Sequence, residues 1–91
     1  MASISRFFSA DAKAFRAAAD VPFVVHVELA DFRKTGERGF EELLADNYDH
    51  ARRLACSWVN THDAMSAAIR KVRDDGSVPN VLEYVNPGDQ S

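Results

Sequence analysis

The sequence predicts an α+β fold: a small antiparallel or mixed sheet of two to four strands, with one or two helices packed on one face. Three segments support this prediction. An alanine-rich segment with a helix cap comes first, a valine-rich segment follows it, and a long amphipathic segment occupies the middle of the chain. Because 91 residues can bury one core, we expect a single domain over 1–91, with frayed ends near 1–7 and 86–91.

The first helix is predicted over residues 9–20. Ser9 is suited to the N-cap, Asp11 lies in the first turn, and Pro22 marks the end of the helix. The residues at helical spacing that predict an apolar side are Phe8, Ala12, Phe15 and Ala19.

The clearest strand is predicted over residues 23–32. It is rich in valine, and its apolar residues alternate from Phe23 to Leu29, whereas His26 and Glu28 point to the other face. A strand with one apolar and one mixed face is typical of a sheet that is covered on one side. Gly36 then permits a turn over residues 33–37.

The middle of the chain allows two interpretations. Apolar residues from Phe40 to Val59 follow helical spacing, which predicts one long helix with Tyr48 and Trp58 in the core. Residues 46–49 are a poor helix interior but a good N-cap, which predicts a strand over 39–45 and a helix that begins near Asn47. We favour the second interpretation.

Two interpretations also remain open for residues 61–76. The segment fits a helix that ends at Gly76. Alternatively, Asp75 and Gly76 form a hairpin turn that joins a strand over 67–73 to a strand over 81–85. Residues 81–85 are predicted as a strand in both cases, and Pro79 near their start is typical of an edge strand.

No catalytic, metal-binding or phosphate-binding motif is recognisable. His26, His50 and His62 lack the spacing that would bring ligands together on one helix face. Cys56 lies among apolar residues, which indicates a packed small side chain rather than a nucleophile. We therefore expect no enzymatic activity, no metal and no cofactor.

The charged residues change sign in blocks along the chain. Acidic residues dominate from 28 to 49, basic residues from 52 to 73, and acidic residues again near the C-terminus. Such blocks indicate a surface that binds another macromolecule. The net charge of −3 argues against direct nucleic-acid binding, because phosphates must be neutralised by Lys and Arg. The candidate partner-binding residues are Glu37, Glu41, Glu42, Asp46 and Asp49, with Glu41 and Glu42 expected on a solvated face.

The remaining features predict a cytoplasmic protein. No apolar run reaches the length of a membrane span, and the N-terminus lacks the apolar core of a secretory signal. The single cysteine excludes an internal disulfide. We expect the partner to be another protein with a basic surface, and a homodimer would allow this small domain to bury more surface.

In length, acidity and absence of a catalytic motif, the whole chain resembles the small phage-encoded inhibitors of bacterial defence, particularly anti-CRISPR proteins. The resemblance implies a non-enzymatic inhibitor that binds a nucleic-acid-binding effector complex and blocks access of the nucleic acid. The candidate carboxylates would then occupy a basic groove on that complex. The alternative is a self-associating regulatory module that binds a small ligand in an apolar pocket between helix and sheet.

Overall fold

The computed structural model describes residues 4–29, 39–61 and 64–89. A 3-10 helix (Ile4–Phe8) precedes helix α1 (Ala10–Ala19), and helix α2 spans Tyr48–Thr61. The strands are β1 (Phe23–Leu29), β2 (Gly39–Ala45), β3 (Ala64–Lys71) and β4 (Val81–Val85). They form one antiparallel sheet in the order β2-β1-β3-β4. The predicted α+β fold is confirmed.

Both ambiguous segments contain strands. The interpretation that divided residues 39–61 into a strand and a helix is confirmed, and Asn47 caps α2 by accepting a hydrogen bond from the His50 amide at 2.8 Å. Residues 64–71 form β3, so the strand alternative is confirmed there as well. The turn between β3 and β4 is closed by the Gly76 amide, which donates to the Arg73 carbonyl at 2.8 Å.

The main core lies between α2 and one face of the sheet. Val25 and Val27 of β1 are fully buried on this face, and Ala51 and Ala55 of α2 pack against it. The small alanine side chains allow the helix to approach the strands closely. Cys56 is buried in the same core, as the sequence predicted. Tyr48 is not a core residue, because its hydroxyl group reaches Glu83 at the surface.

The other face of the sheet carries residues 4–20, which we call the N-terminal segment. Phe7 of this segment is buried against His26, with the two ring centroids 4.4 Å apart. A smaller apolar cluster of Val24, Val72 and Val78 lies on the same face. The sheet therefore has α2 on one face and the N-terminal segment on the other.

Helix α1 begins after Ser9, whose hydroxyl accepts a hydrogen bond from the Ala12 amide at 3.2 Å, as predicted. The predicted apolar side of this helix is nevertheless exposed, and Phe15 keeps 60% of its accessible surface. The one buried residue of α1 is Arg16. Hydrogen bonds of this arginine, rather than the burial of alanine methyl groups, determine which side of the helix faces the protein.

Within the described ranges, neither helix has the length and apolar character needed to cross a membrane.

Candidate functional site

The most polar part of the interior is a group of three side chains, Arg16, His26 and Glu42, which we call the Arg16 cluster. Arg16 is fully buried and donates three short hydrogen bonds. They reach the Gly76 carbonyl at 2.6 Å, the Phe7 carbonyl at 2.7 Å and Glu42 Oε2 at 2.7 Å. One guanidinium group thus joins the loop between β3 and β4, the 3-10 helix and strand β2.

The register of the sheet brings the other two members of the Arg16 cluster together. His26 of β1 lies directly opposite Glu42 of β2, and both point to the face that carries the N-terminal segment. The distance between His26 Nε2 and Glu42 Oε2 is 2.6 Å. The same carboxylate oxygen therefore accepts from an arginine and from a histidine.

Burial disfavours the charged forms of both His26 and Glu42, so it shifts their pKa values in opposite directions. It lowers the pKa of His26, and this exceeds the opposing effect of the hydrogen bond to Glu42. Burial alone would raise the pKa of Glu42, but hydrogen bonds and charge interactions with His26 and Arg16 lower it below the ordinary value. The cluster is therefore arranged for an ionised glutamate and a neutral histidine.

The pairing of His26 with a carboxylate is also found where a histidine acts as an oriented base. In this protein His26 Nδ1 is buried and has no hydrogen-bond partner in the described part of the chain. Cys56 lies on the other side of the sheet, in the core beneath α2. The fold therefore does not bring this thiol to the histidine.

The structure separates the two adjacent glutamates that the sequence grouped together. Successive residues of a strand point to opposite faces, so Glu41 is exposed on the side of α2 whereas Glu42 faces the N-terminal segment. The prediction that Glu42 lies on a solvated face is wrong, because its side chain keeps 12% of its exposure and pairs with Arg16. Glu37 lies outside the described residues.

Three of the predicted partner-binding carboxylates remain at the surface. Glu41, Asp46 and Asp49 follow the border from the edge strand β2 to the first turn of α2, and we call them the acidic rim. Glu41 precedes Asp46 by five residues, which corresponds to about 16 Å of extended chain at roughly 3.3 Å per residue. The structure thus provides a row of carboxylates rather than a compact cluster.

The charges near the acidic rim are only weakly neutralised. Asp46 and Asp49 have side chains that are 87% and 84% exposed, and each has one basic residue four positions along the chain. Asp49 lies 3.7 Å from Arg53, and Asp46 lies 4.0 Å from His50. Exposed pairs of this kind contribute little and exchange readily with other charges. Asp49 also stabilises the N-terminus of α2 by its charge.

A cavity of about 320 Å³ lies between the C-terminal half of α1 and the end of β3. The alternative function requires an apolar pocket between helix and sheet, whereas this cavity is lined by side chains of both charges. Among them are Asp20, Lys71, Arg73 and Asp74. Such a lining suits a small polar ligand with groups of both signs.

Several large apolar side chains are exposed. Tyr84 and Leu82 of β4 keep 65% and 48% of their surface, and Phe8 keeps 45%. Phe7, which precedes Phe8 in the chain, is buried. In the described ranges, no group of three histidine, cysteine or acidic side chains is placed to hold a metal ion.

Sequence reasoning missed the Arg16 cluster. In the sequence, Arg16 looks like an ordinary surface residue of an alanine-rich helix, and Glu42 is indistinguishable from the neighbouring Glu41. The one signal was His26, a polar residue at the centre of a valine-rich strand. Its partner depends on strand register, which the sequence does not specify.

No protein-family model, curated protein or solved structure matches this chain.

Proposed function

We propose that the protein is a non-enzymatic inhibitor that binds a nucleic-acid-binding effector complex through the acidic rim and blocks access of the nucleic acid. In this proposal it acts in the bacterial cytoplasm as an anti-CRISPR type of protein. The observation that carries the proposal is the exposure of Glu41, Asp46 and Asp49 along one border of the molecule.

The physical basis is competition between carboxylates and phosphates. An effector groove that binds nucleic acid is lined with lysine and arginine, and these cations also attract a row of carboxylates. The interval from Glu41 to Asp46, about 16 Å, corresponds to roughly five phosphates along one strand of a DNA duplex, which follow one another at about 3.4 Å along the helix axis. The exposed ion pair between Asp49 and Arg53 would exchange for a stronger pair with the partner.

Direct binding to purified complexes tests the proposal. We would immobilise the protein and present a panel of CRISPR effector complexes with and without their target DNA, at low and at raised salt. The proposal predicts that at least one complex binds, that salt weakens the binding, and that target DNA prevents it. Binding that is unaffected by target DNA, or no binding by any complex, would contradict it.

A second candidate function is supported by the cavity beside α1. Its volume is within the range of small-ligand sites, and its lining provides both cations and carboxylates. A regulatory module that self-associates and binds a small zwitterion there would be stabilised by the ligand. A thermal-shift screen of amino acids and related metabolites distinguishes this candidate, because the inhibitor proposal predicts no stabilisation by any of them.

A further inference from the structure

The N-terminal segment is held on the sheet by polar and aromatic contacts, with little buried apolar surface. Outside the Arg16 cluster, Arg6 donates a hydrogen bond to the Phe40 carbonyl of β2 at 2.6 Å. α1 buries the side chain of Arg16 alone, and the 3-10 helix contributes Phe7. The cavity of about 320 Å³ separates the C-terminal half of α1 from the end of β3. A segment with so little buried apolar surface opens at a lower free-energy cost than the core beneath α2.

The attachment depends on the Arg16 cluster. Two hydrogen bonds of Arg16 attach the N-terminal segment to Gly76 and Glu42, and the third connects α1 to Phe7 of the 3-10 helix. The contact with Glu42 is an ion pair in which both side chains are poorly exposed. Glu42 in turn is held in place by His26. A change of charge at His26 therefore acts directly on the group that holds the segment.

While the N-terminal segment is attached, a second proton on His26 would have no hydrogen-bond acceptor in the described part of the chain. Its Nε2–H group donates a hydrogen bond to Glu42. Its Nδ1 atom is buried and has no hydrogen-bond partner among the described residues, and the Phe7 ring stacks on the imidazole. A proton on Nδ1 would create a buried N–H group without an acceptor, which is costly. Release of the segment would give that N–H group access to water.

Charged side chains near His26 lie on each element that packs against it. Glu42 of β2 attracts the imidazolium, whereas Arg16 of α1 and Arg70 of β3 repel it. The guanidinium group of Arg6 lies against the Phe7 ring, 4.7 Å from its centroid, and adds further positive charge. Glu28 lies two residues along β1 on the same face. Burial, with the two arginines, outweighs the attraction of Glu42 and lowers the pKa of His26.

We propose that the N-terminal segment is a pH-sensitive cover: protonation of His26 releases it from the sheet while α2 and the four strands remain folded. Release would uncover Val24, Leu44 and Ala68 on the face that already exposes Tyr84 and Leu82. Acidification would thereby expose these apolar side chains beside His26, Glu42 and Arg70, which lie on the same face. This inference goes beyond the proposed inhibition and does not rest on it.

The direction of the pH dependence follows from the two states. In the released state His26 is hydrated and still lies beside Glu42, so burial no longer lowers its pKa, whereas in the attached state burial lowers its pKa below 6.5. Attachment is therefore fully favoured above the pKa of the released state and is lost as the pH falls below it. For one proton, the equilibrium constant for release rises by up to about tenfold per pH unit until the pKa of the attached state is reached.

Amide hydrogen exchange at about pH 7.5 and about pH 5.5, corrected for intrinsic exchange rates, tests the proposal. We expect the α1 amides to exchange several-fold faster at the lower pH. The amides of α2 should keep their protection. Equal acceleration in α1 and α2 would indicate global unfolding and would overturn the proposal.

Three variants assign the effect to His26. His26→Gln removes the titrating group and should abolish the pH dependence of α1 exchange. His50→Gln, at a half-exposed histidine outside the Arg16 cluster, is the matched control and should retain it. Arg16→Gln should give rapid α1 exchange at both pH values. Full pH dependence in His26→Gln would contradict the proposal.

A measurement on the unmodified protein covers the case in which a variant fails to fold. The NMR titration of the imidazole resonances reports the pKa of each histidine directly. We expect His26 to titrate below 6.5 and the α1 resonances to shift with it. A His26 pKa at or above that value would overturn the proposal.

Discussion

At the scale of single residues, Arg16 has the most demanding environment in the protein. Its guanidinium group is fully buried and relies on two carbonyl groups and one carboxylate to replace water. Removing one partner of a buried ion pair leaves the other charge without compensation, whereas surface pairs contribute little. Arg16 forms a buried ion pair and Lys13 an exposed one, and both residues lie on the same helix.

We expect Arg16→Gln to lower the free energy of unfolding by about 2–4 kcal/mol, because Glu42 and two carbonyl groups lose their donor. Lys13→Gln removes an equal charge from the same helix, at an exposed ion pair with Asp75 that spans 3.9 Å. It should leave the stability close to that of the wild type. Urea unfolding monitored by Trp58 fluorescence measures both, and equal effects of the two substitutions would refute the structural role of Arg16.

At the scale of elements, the attachment of α1 depends on close contact with the loop between β3 and β4. Gly76 adopts a φ of +85°, and a Cβ atom there would lie 1.9 Å from the Lys13 carbonyl oxygen of α1. Gly88 adopts a similar φ of +97°, with no atom within 4 Å of the corresponding position. The two glycines therefore share the backbone requirement but differ in the space around them.

We expect Gly88→Ala to cost about 1–2 kcal/mol for the positive φ alone. Gly76→Ala should cost more than Gly88→Ala, because the methyl group also displaces α1 from the loop. It should also accelerate amide exchange in α1 but not in α2. Thermal unfolding and hydrogen exchange measure these effects, and a Gly76→Ala variant as stable as Gly88→Ala would show that α1 does not pack against this loop.

The same elements show how far sequence reasoning could proceed. Local chemistry predicted both helix starts, because Ser9 and Asn47 supply side-chain oxygens to their own helices. The segment over 64–71 stayed ambiguous, since its apolar residues satisfied a helical spacing as well as a strand. The orientation of α1 was not predictable, because it depends on Arg16 meeting a carbonyl 60 positions away.

The candidate site likewise contains some residues whose exposure could be predicted from the sequence and others whose burial could not. The exposure of Asp46 and Asp49 could be expected from their position beside a helix start, where acidic residues favour the helix dipole. The burial of Glu42 could not, because it follows from a register that pairs it with His26. A one-residue shift of β2 would have exchanged the environments of Glu41 and Glu42.

At the scale of the whole molecule, the two faces of the sheet have different roles. α2 and its face form the stable core, and the acidic rim follows the border of this layer. The N-terminal segment covers the other face through the Arg16 cluster. A partner that binds the acidic rim would therefore contact β2 and the start of α2 rather than the N-terminal segment.

Displacement of DNA from an effector complex tests the central claim most directly. Fluorescence anisotropy of labelled target DNA on a complex from the binding panel would be followed during titration with three proteins. They are the wild type, Glu41→Lys with Asp46→Lys, and the charge-matched control Asp11→Lys with Asp74→Lys, which reverses two exposed carboxylates away from the acidic rim. Circular dichroism would confirm that all three are folded.

We expect the wild type and the control to displace the DNA equally, and the acidic-rim variant to require at least about tenfold more protein, because two like charges then face the basic groove. Equal displacement by the acidic-rim variant and the wild type would contradict the account.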